Sequence, residues 1–252
     1  MADEKHGYRF AEDIKTIIYA LVIALIIRAF LFQPFNIPSS SMVPTLLVGD
    51  YLFVSKYAYG YSRHSFPFSP PLFNGRIMGA LPERGDIAVF KFPADHSTDY
   101  IKRIIGLPGD RIQMHGGVLY LNGEAVTQTR IADYVETGEH GDTRRSRQFR
   151  ETLPGGVSYR TLDVISDGPV DNTGVFQVPA GYVFAMGDNR DNSSDSRVTN
   201  GGVGFVPVEN LVGRAEFMFF STDGSAKWWE FWRWFGAARF ERMLHTINSV
   251  QQ

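Results

Sequence analysis

The chain has 252 residues, 44% of them hydrophobic and 21% charged, the balance of a packed globular protein with room for one large domain or two small ones. A net charge of −2 supplies no overall field to draw it to nucleic acid. The complete lack of cysteine excludes a thiol nucleophile, a thiolate metal site and a disulfide framework, while leaving the compartment open.

The first element is an apolar run from Ile14 to Phe32, interrupted by Lys15 and Arg28 and free of charge between Thr16 and Ile27. About 20 residues span a bilayer, so the run is barely long enough. Arg28 lies near its far end, where its stem can snorkel to the head groups. Lys5, Arg9 and Lys15 precede the run and favour a cytoplasmic N-terminus. A cleaved leader would need small residues after the run, whereas here Phe30-Leu31-Phe32-Gln33-Pro34-Phe35 follows. The expectation is an uncleaved anchor over 14–33 after a cytoplasmic segment 1–13, with the rest of the chain outside the cytoplasm; a buried core helix is the alternative.

Beyond the run the chain reads mostly as strands. Asp50 to Tyr57 alternates, placing Leu52, Val54 and Lys56 on one side. Asp86 to Phe92 and Tyr100 to Ile105 are short, apolar and rich in β-branched residues. Val118–Leu121, Asn122-Gly123 and Glu124–Thr127 form a hairpin pattern, because a type I′ turn needs positive φ at both central residues. Tyr182 to Met186 and Leu211 to Phe220 complete the set. The Gly-, Pro- and aromatic-rich stretch 57–81 reads as a long extended loop, and the polar stretch 128–174 as an irregular β excursion. The tail 227–244 holds Trp228, Trp229, Trp232 and Trp234 among arginines. It fits either an amphipathic helix at a membrane surface or a helix packed on the body. The expected organisation is mainly β: an antiparallel sheet or barrel built from 34–110 and 180–222, a β-rich insert over 111–179, and an aromatic tail over 223–252.

Three segments carry candidate chemistry. In Pro38-Ser39-Ser40-Ser41-Met42-Val43-Pro44-Thr45-Leu46 the prolines stiffen a serine-rich loop just past the anchor; taken alone, such a loop is commonly a linker. In Asp99 to Asp110, Lys102 interrupts an apolar strand, on the face of Tyr100 and Ile104 and opposite Arg103. If that face is inward, desolvation lowers the lysine pKa and makes the amine a base near neutral pH. The competing reading has Lys102 in solvent and Arg103 as the buried partner of a carboxylate. The third segment is Gly187-Asp188-Asn189-Arg190-Asp191-Asn192-Ser193-Ser194-Asp195-Ser196-Arg197. An EF-hand counted from Asp191 fails on spacing, since Ser196 and Gly202 stand where Gly and Glu belong. A solvated loop is the bland reading; side chains so suited to bonding backbone also fit a rigid polar support.

Together these segments resemble bacterial type I signal peptidases. The resemblance is carried by the anchor, Ser-x-Ser-Met-x-Pro-Thr-Leu at 39–46, Arg-Gly-Asp-Ile-x-Val-Phe at 84–90, Tyr-Ile-Lys-Arg-x-x-Gly-Leu-Pro-Gly-Asp at 100–110, and Gly-Asp-Asn-Arg-Asp-Asn-Ser-x-Asp-Ser-Arg at 187–197. Gly-Phe-Val-Pro at 204–207 and Leu-Val-Gly-Arg-Ala at 211–215 continue it. The motifs occur in the family's order across about 30–222, with 57–81 and the polar middle matching only loosely.

The resemblance implies a membrane serine endopeptidase on the outer side of the bacterial inner membrane, removing signal peptides from exported preproteins after Ala-X-Ala-type sequences. It implies Ser41 as nucleophile and Lys102 as general base. The Ser39 hydroxyl and the Ser41 N–H would form the oxyanion hole, Ser193 would orient the lysine, and Asp195 with Arg197 would be a bracing ion pair. Phe35, Ile37, Met42, Leu46, Tyr100 and Ile101 would wall the substrate pockets. Partners would be signal peptides and the lipid bilayer, with no cofactor, metal or nucleic acid. None of the six histidines lies in these motifs, and a Gly-x-Ser-x-Gly elbow is lacking. The main rival differs in class, a membrane-tethered β binding protein without catalysis; a nearer one is a specialised peptidase maturing one exported protein. Self-cleaving transcriptional regulators share the Ser/Lys logic, but they are soluble chains with a helix-turn-helix head that this sequence lacks.

Overall fold

The computed structural model describes residues 2–67, 69–71, 73–137, 142–199, 201–226 and 229–247, with side chains from residue 12 onward. Lys227 and Trp228 of the aromatic tail, and the side chains of Lys5 and Arg9, lie outside the described residues.

Helix α1, Ala2–Phe30, opens the chain. Among the described residues no helix is long and apolar enough to cross a membrane. Asp13, Lys15 and Arg28 confine the uncharged stretch to 16–27, about 18 Å of helix at about 1.5 Å per residue. The span expected over 14–33 is also shorter as a helix, because the chain turns at Leu31 and enters a strand at Phe32.

Among the described residues fourteen strands follow: β1 Phe32–Asn36, β2 Asp50–Ser55, β3 Ile87–Lys91, β4 Asp99–Gly106, β5 Arg111–His115, β6 Val118–Leu121, β7 Glu124–Ala125, β8 Thr127–Thr137, β9 Thr143–Thr152, β10 Ser158–Asp163, β11 Phe176–Gln177, β12 Tyr182–Met186, β13 Val206–Pro207 and β14 Leu211–Ser221. They form a seven-stranded sheet in the order β1-β2-β14-β3-β4-β12-β13, a three-stranded sheet β10-β9-β8, and a four-stranded sheet β11-β5-β6-β7. The pairings between these strands are antiparallel. The protein is thus mainly β, as its alternating patterns predict.

The order of the large sheet positions the site. β14 enters between β2 and β3, so the last long strand ties the 32–55 hairpin to the 87–106 hairpin. β3 is buried on both faces: Ile87 and Val89 join one core with Leu52, Val54 and Met218, while Ala88 and Phe90 join another with Ile104, Val183 and Leu211. Burial on both faces accounts for its unbroken apolar run. A third core, including Ile105, Ile112, Leu121, Tyr159, Phe184 and Met186, joins the large sheet to the smaller ones.

Local expectations meet mixed outcomes. Asn122 and Gly123 take φ of 55° and 91°, as the hairpin between β6 and β7 requires. The polar middle, expected as an irregular β excursion within a β-rich insert, contains a long hairpin, with β8 of 11 residues paired to β9 of 10. The tail is not one helix: two short 3₁₀ turns, Phe231–Arg233 and Phe240–Arg242, flank the four-residue helix α2, Trp234–Ala237. Backbone bridges to β14 and its continuation, Thr222 to Ala238 and Phe217 to Thr246, hold the tail extended instead.

Candidate active site

The segment 37–49 between β1 and β2 carries the three serines. A 3₁₀ turn at Ser40–Met42 presents Ser41, while Met42 and Leu46 plug into the core beneath it. Lys102 lies on β4 opposite Ala88 of β3. Both candidate groups are buried, Ser41 at 7% and Lys102 at 3% exposure. The Lys102 Nζ donates to Ser41 Oγ at 2.7 Å and to the Ile101 carbonyl at 3.0 Å, and sits 5.4 Å from the centre of the Tyr100 ring. Burial lowers the amine from 10.5 to about 8, with Asp195 and Asp188 pulling more weakly in the opposite direction. Lys56 is also buried and also lowered to about 8, by burial and by repulsion from Arg28, but it donates to the Ser65 carbonyl and meets no nucleophile. Geometry, not the shifted titration alone, singles out Lys102.

The 187–197 loop is the rigid support its composition allows. The Asn189 N–H donates to the Ser41 carbonyl at 3.1 Å, Asn189 Nδ2 to the Ser40 carbonyl at 3.1 Å, and Asn192 Nδ2 to Ser40 Oγ at 2.7 Å. Gly187 makes this approach possible, since a Cβ there would sit 2.6 Å from the Ser41 carbonyl oxygen and 2.3 Å from Ser193 Oγ. Arg103 grips Asp188 through two bonds of 2.8 and 2.6 Å, and Thr45 Oγ1 donates to the same carboxylate at 2.5 Å. Both readings of the strand therefore hold in part: Lys102 is buried, and Arg103 is also the buried partner of a carboxylate. Asp195 and Arg197 form a fully buried ion pair with contacts of 3.0 and 2.9 Å, and Asp195 accepts the Gly187 N–H. Burial alone would raise the Asp195 carboxyl, but Arg197 and the backbone donors hold it below the usual range.

A cleft of about 470 Å³ opens over the Ser41–Lys102 pair. Of the six expected wall residues, Phe35, Ile37, Tyr100 and Ile101 line it. Met42 and Leu46 do not: both are 0% exposed and belong to the core under the loop. Asn36, Pro38, Val89, Asp99, Asn192 and Ser194 line it without having been singled out from sequence. Ser39 lies in the cleft with its hydroxyl 3.4 Å from Ser41 Oγ. Ser193 departs from expectation: among the described residues its buried Oγ has no hydrogen-bond partner, and Lys102 bonds the Ile101 carbonyl and Ser41 Oγ. Among the described residues one carboxylate cluster occurs, Asp163, Asp171 and Asp191, with oxygens within 4.8 Å of one another. Arg147 and the amides of Gly168, Val164 and Ile165 bond to it, and none of the three lines the cleft.

β4 also offers a free edge beside this pair. On this strand β12 pairs with Arg103, Ile104 and Gly106, so among the described residues Asp99 to Lys102 is paired on the β3 side alone.

The model of the family described as "Signal peptidase, peptidase S26" matches residues 10–220. Signal peptidase I of Rickettsia typhi is 44% identical, over 96% of this chain and 95% of its own, and that of Rickettsia canadensis is 45% identical over 87% and 83%. The crystal structure of a signal peptidase I from Enterococcus faecalis aligns at 27% identity and a TM-score of 0.31, over 54% of this chain and 97% of its own. These relationships define a hydrolase, a peptidase of the serine type. The chain belongs to the signal peptidase family, peptidase S26.

Proposed function

We propose that this protein removes N-terminal signal peptides from exported preproteins, with Ser41 as nucleophile and Lys102 as general base. The observation that carries this reading is the 2.7 Å contact between Lys102 Nζ and Ser41 Oγ in a buried setting. With the amine at about 8, roughly a tenth of the molecules hold it neutral at pH 7. That amine takes the Ser41 hydroxyl proton as Oγ attacks the scissile carbonyl carbon. The oxyanion is met by the Ser41 N–H and the Ser39 hydroxyl, each such donor worth about 3 kcal/mol in the transition state. The ammonium then gives its proton to the leaving amine as the C–N bond breaks. Water attacks the resulting ester, Lys102 takes the water's proton, and it returns a proton to Ser41.

The substrate enters as a strand. Its backbone pairs along the edge of β4 at Asp99 to Ile101, so residues two apart face the same wall. The side chains at minus one and minus three meet Phe35, Ile37, Tyr100 and Ile101, apolar walls that fit alanine-sized groups and exclude larger ones. Residues 34–110 and 180–222 serve as the catalytic body, with 111–179 as an insert on its flank.

Helix α1 tethers this body to the bilayer. Ile17, Ile18, Leu21, Val22, Leu25 and Ile26 are all exposed, which favours lipid around them. Lys15 and Arg28 stand about 20 Å apart along the helix, and their long side chains snorkel outward to cover the rest of a ~30 Å hydrocarbon layer. The site then faces the outer surface of the cytoplasmic membrane, where translocated signal peptides end.

The test is cleavage of a preprotein with alanine at minus three and minus one, by wild type, Ser41→Ala and Lys102→Arg. Wild type should cut after the minus-one residue. Both variants should be inert, because one lacks the nucleophile and the other carries a guanidinium that stays protonated. Activity retained by either variant refutes the assignment.

A further inference from the structure

The family match stops at residue 220, yet the chain beyond it grips the loop that presents Ser41. After β14 the tail doubles back on that strand. Met218 donates to the His245 carbonyl at 2.9 Å, Leu244 to the Met218 carbonyl at 2.7 Å, and Arg239 to the Ser221 carbonyl at 3.0 Å. Ile247, 2% exposed, packs in the same core as Ile37, Met42 and Leu46. Two tail arginines reach the 37–49 segment and the residue that closes it. Arg239 Nη2 donates to the Val48 carbonyl at 2.5 Å and also to that of Thr222. Arg242 Nη2 donates to Asp50 Oδ2 at 2.7 Å and to the Thr45 carbonyl at 3.1 Å, while its Nε approaches Asp50 Oδ1 at 3.3 Å.

Asp50 is 0% exposed, and its carboxylate also accepts the Leu47 N–H and the Ser221 hydroxyl, each at 2.7 Å. Those two neutral donors leave a buried negative charge, which Arg242 neutralises. Thr45 is held at both ends, by Arg242 at its carbonyl and by Asp188 at its hydroxyl. Asp188 is the carboxylate gripped by Arg103, the residue after Lys102. The Thr45 end of the serine loop is therefore fixed to the strand carrying the lysine from one side and to the tail from the other.

We propose that Arg242 is a positioning residue for the cleavage reaction, docking on Asp50 to hold the Thr45 end of the loop and so keep Ser41 Oγ on Lys102 Nζ. The proposal rests on the Ser41/Lys102 reading above. A planar fork bonds a carboxylate and a carbonyl at once, which an ammonium on a flexible stem does with less geometric control. Displacing reacting atoms by about 1 Å can cost about a hundredfold in rate, so partial release of this loop registers in kcat before it registers in binding.

The experiment uses the full chain in detergent micelles and compares wild type, Arg242→Gln, Arg242→Lys and, as control, Arg233→Gln, whose arginine pairs with Glu230 on the surface. Cleavage is followed with the preprotein substrate, well below each variant's melting temperature, with the folded fraction measured by circular dichroism. Arg242→Gln should lower kcat about tenfold or more with KM held within about twofold. Its pH–kcat profile should move upward from a midpoint near 8 as water reaches the amine. Arg242→Lys should recover the melting temperature but only part of kcat, and Arg233→Gln should behave as wild type. Wild-type kcat in Arg242→Gln overturns the proposal, as does a loss that merely tracks the folded fraction with an unmoved pH profile. Inert wild-type protein strikes the underlying Ser/Lys reading instead, so the two failures are distinguishable.

Discussion

Replacing Lys102 with methionine should abolish cleavage and at the same time stabilise the protein at neutral pH. In the folded state burial lowers the amine from 10.5 to about 8. At about 1.36 kcal/mol per pH unit, that gap corresponds to about 3 kcal/mol by which folding disfavours the protonated lysine. Methionine fills a similar volume and carries no charge. Its loss of the bonds to Ser41 Oγ and the Ile101 carbonyl returns about 1 kcal/mol, leaving a net gain of about 2 kcal/mol. For a chain of this size that is a rise of about 4–8 °C in Tm. The sign with pH follows from proton binding. Below about 8 both folded and unfolded wild type hold the proton, so the variant keeps its full advantage. Between about 8 and 10.5 the unfolded wild type binds more protons than the folded one. Wild-type stability therefore rises with pH through that window, and the variant's advantage shrinks. Denaturant titrations of both proteins at pH 7 and pH 10.5 measure this. A variant less stable than wild type at pH 7, or a difference unchanged between the two pH values, would refute the reasoning.

Three further outcomes follow from the same geometry. Wild-type kcat should climb about tenfold per pH unit up to a midpoint near 8, as the neutral amine becomes more abundant, and stopped assays across pH 6–10 would show it. Gly187→Ala should cost at least about tenfold in kcat, because the added methyl would lie 2.6 Å from the Ser41 carbonyl oxygen; Gly174→Ala, with nothing within 4 Å of the new group, should be neutral. Arg103→Met should destabilise by about 3–5 kcal/mol, seen as a lower urea midpoint, since it leaves Asp188 buried with a hydroxyl in place of its charged partner.

How much of this was legible in the sequence varies with the physics of each part. The Asn122-Gly123 turn was readable because positive φ at two adjacent positions selects those residues. Ser41 and Lys102 were readable as a resemblance, while their burial was only a condition on which way β4 faced. Met42 and Leu46 were misplaced as cleft walls because an apolar residue beside a nucleophile reads the same whether it points into the cleft or into the core. The β8–β9 pair was legible only as a β excursion without strand boundaries, because arginines and other polar residues fall on both of its faces and erase the two-residue alternation. The tail's tryptophans suggested a helix, at a membrane surface or packed on the body, yet backbone pairing with β14 and the long reach of Arg242 to Asp50 depend on contacts no local pattern encodes. The Asn189 and Asn192 bonds to the serine loop likewise join residues about 150 positions apart.

The central claim is that one buried lysine amine beside Ser41 loses its proton readily. Nitrogen-detected NMR titration of ¹⁵N-lysine-labelled protein measures it directly, with the Lys102 resonance assigned by its loss in Lys102→Met and separated from Lys56 by its persistence in Lys56→Met. A Lys102 midpoint near 8 is the predicted result. A midpoint near 10.5, the value of a lysine in water, would contradict the account.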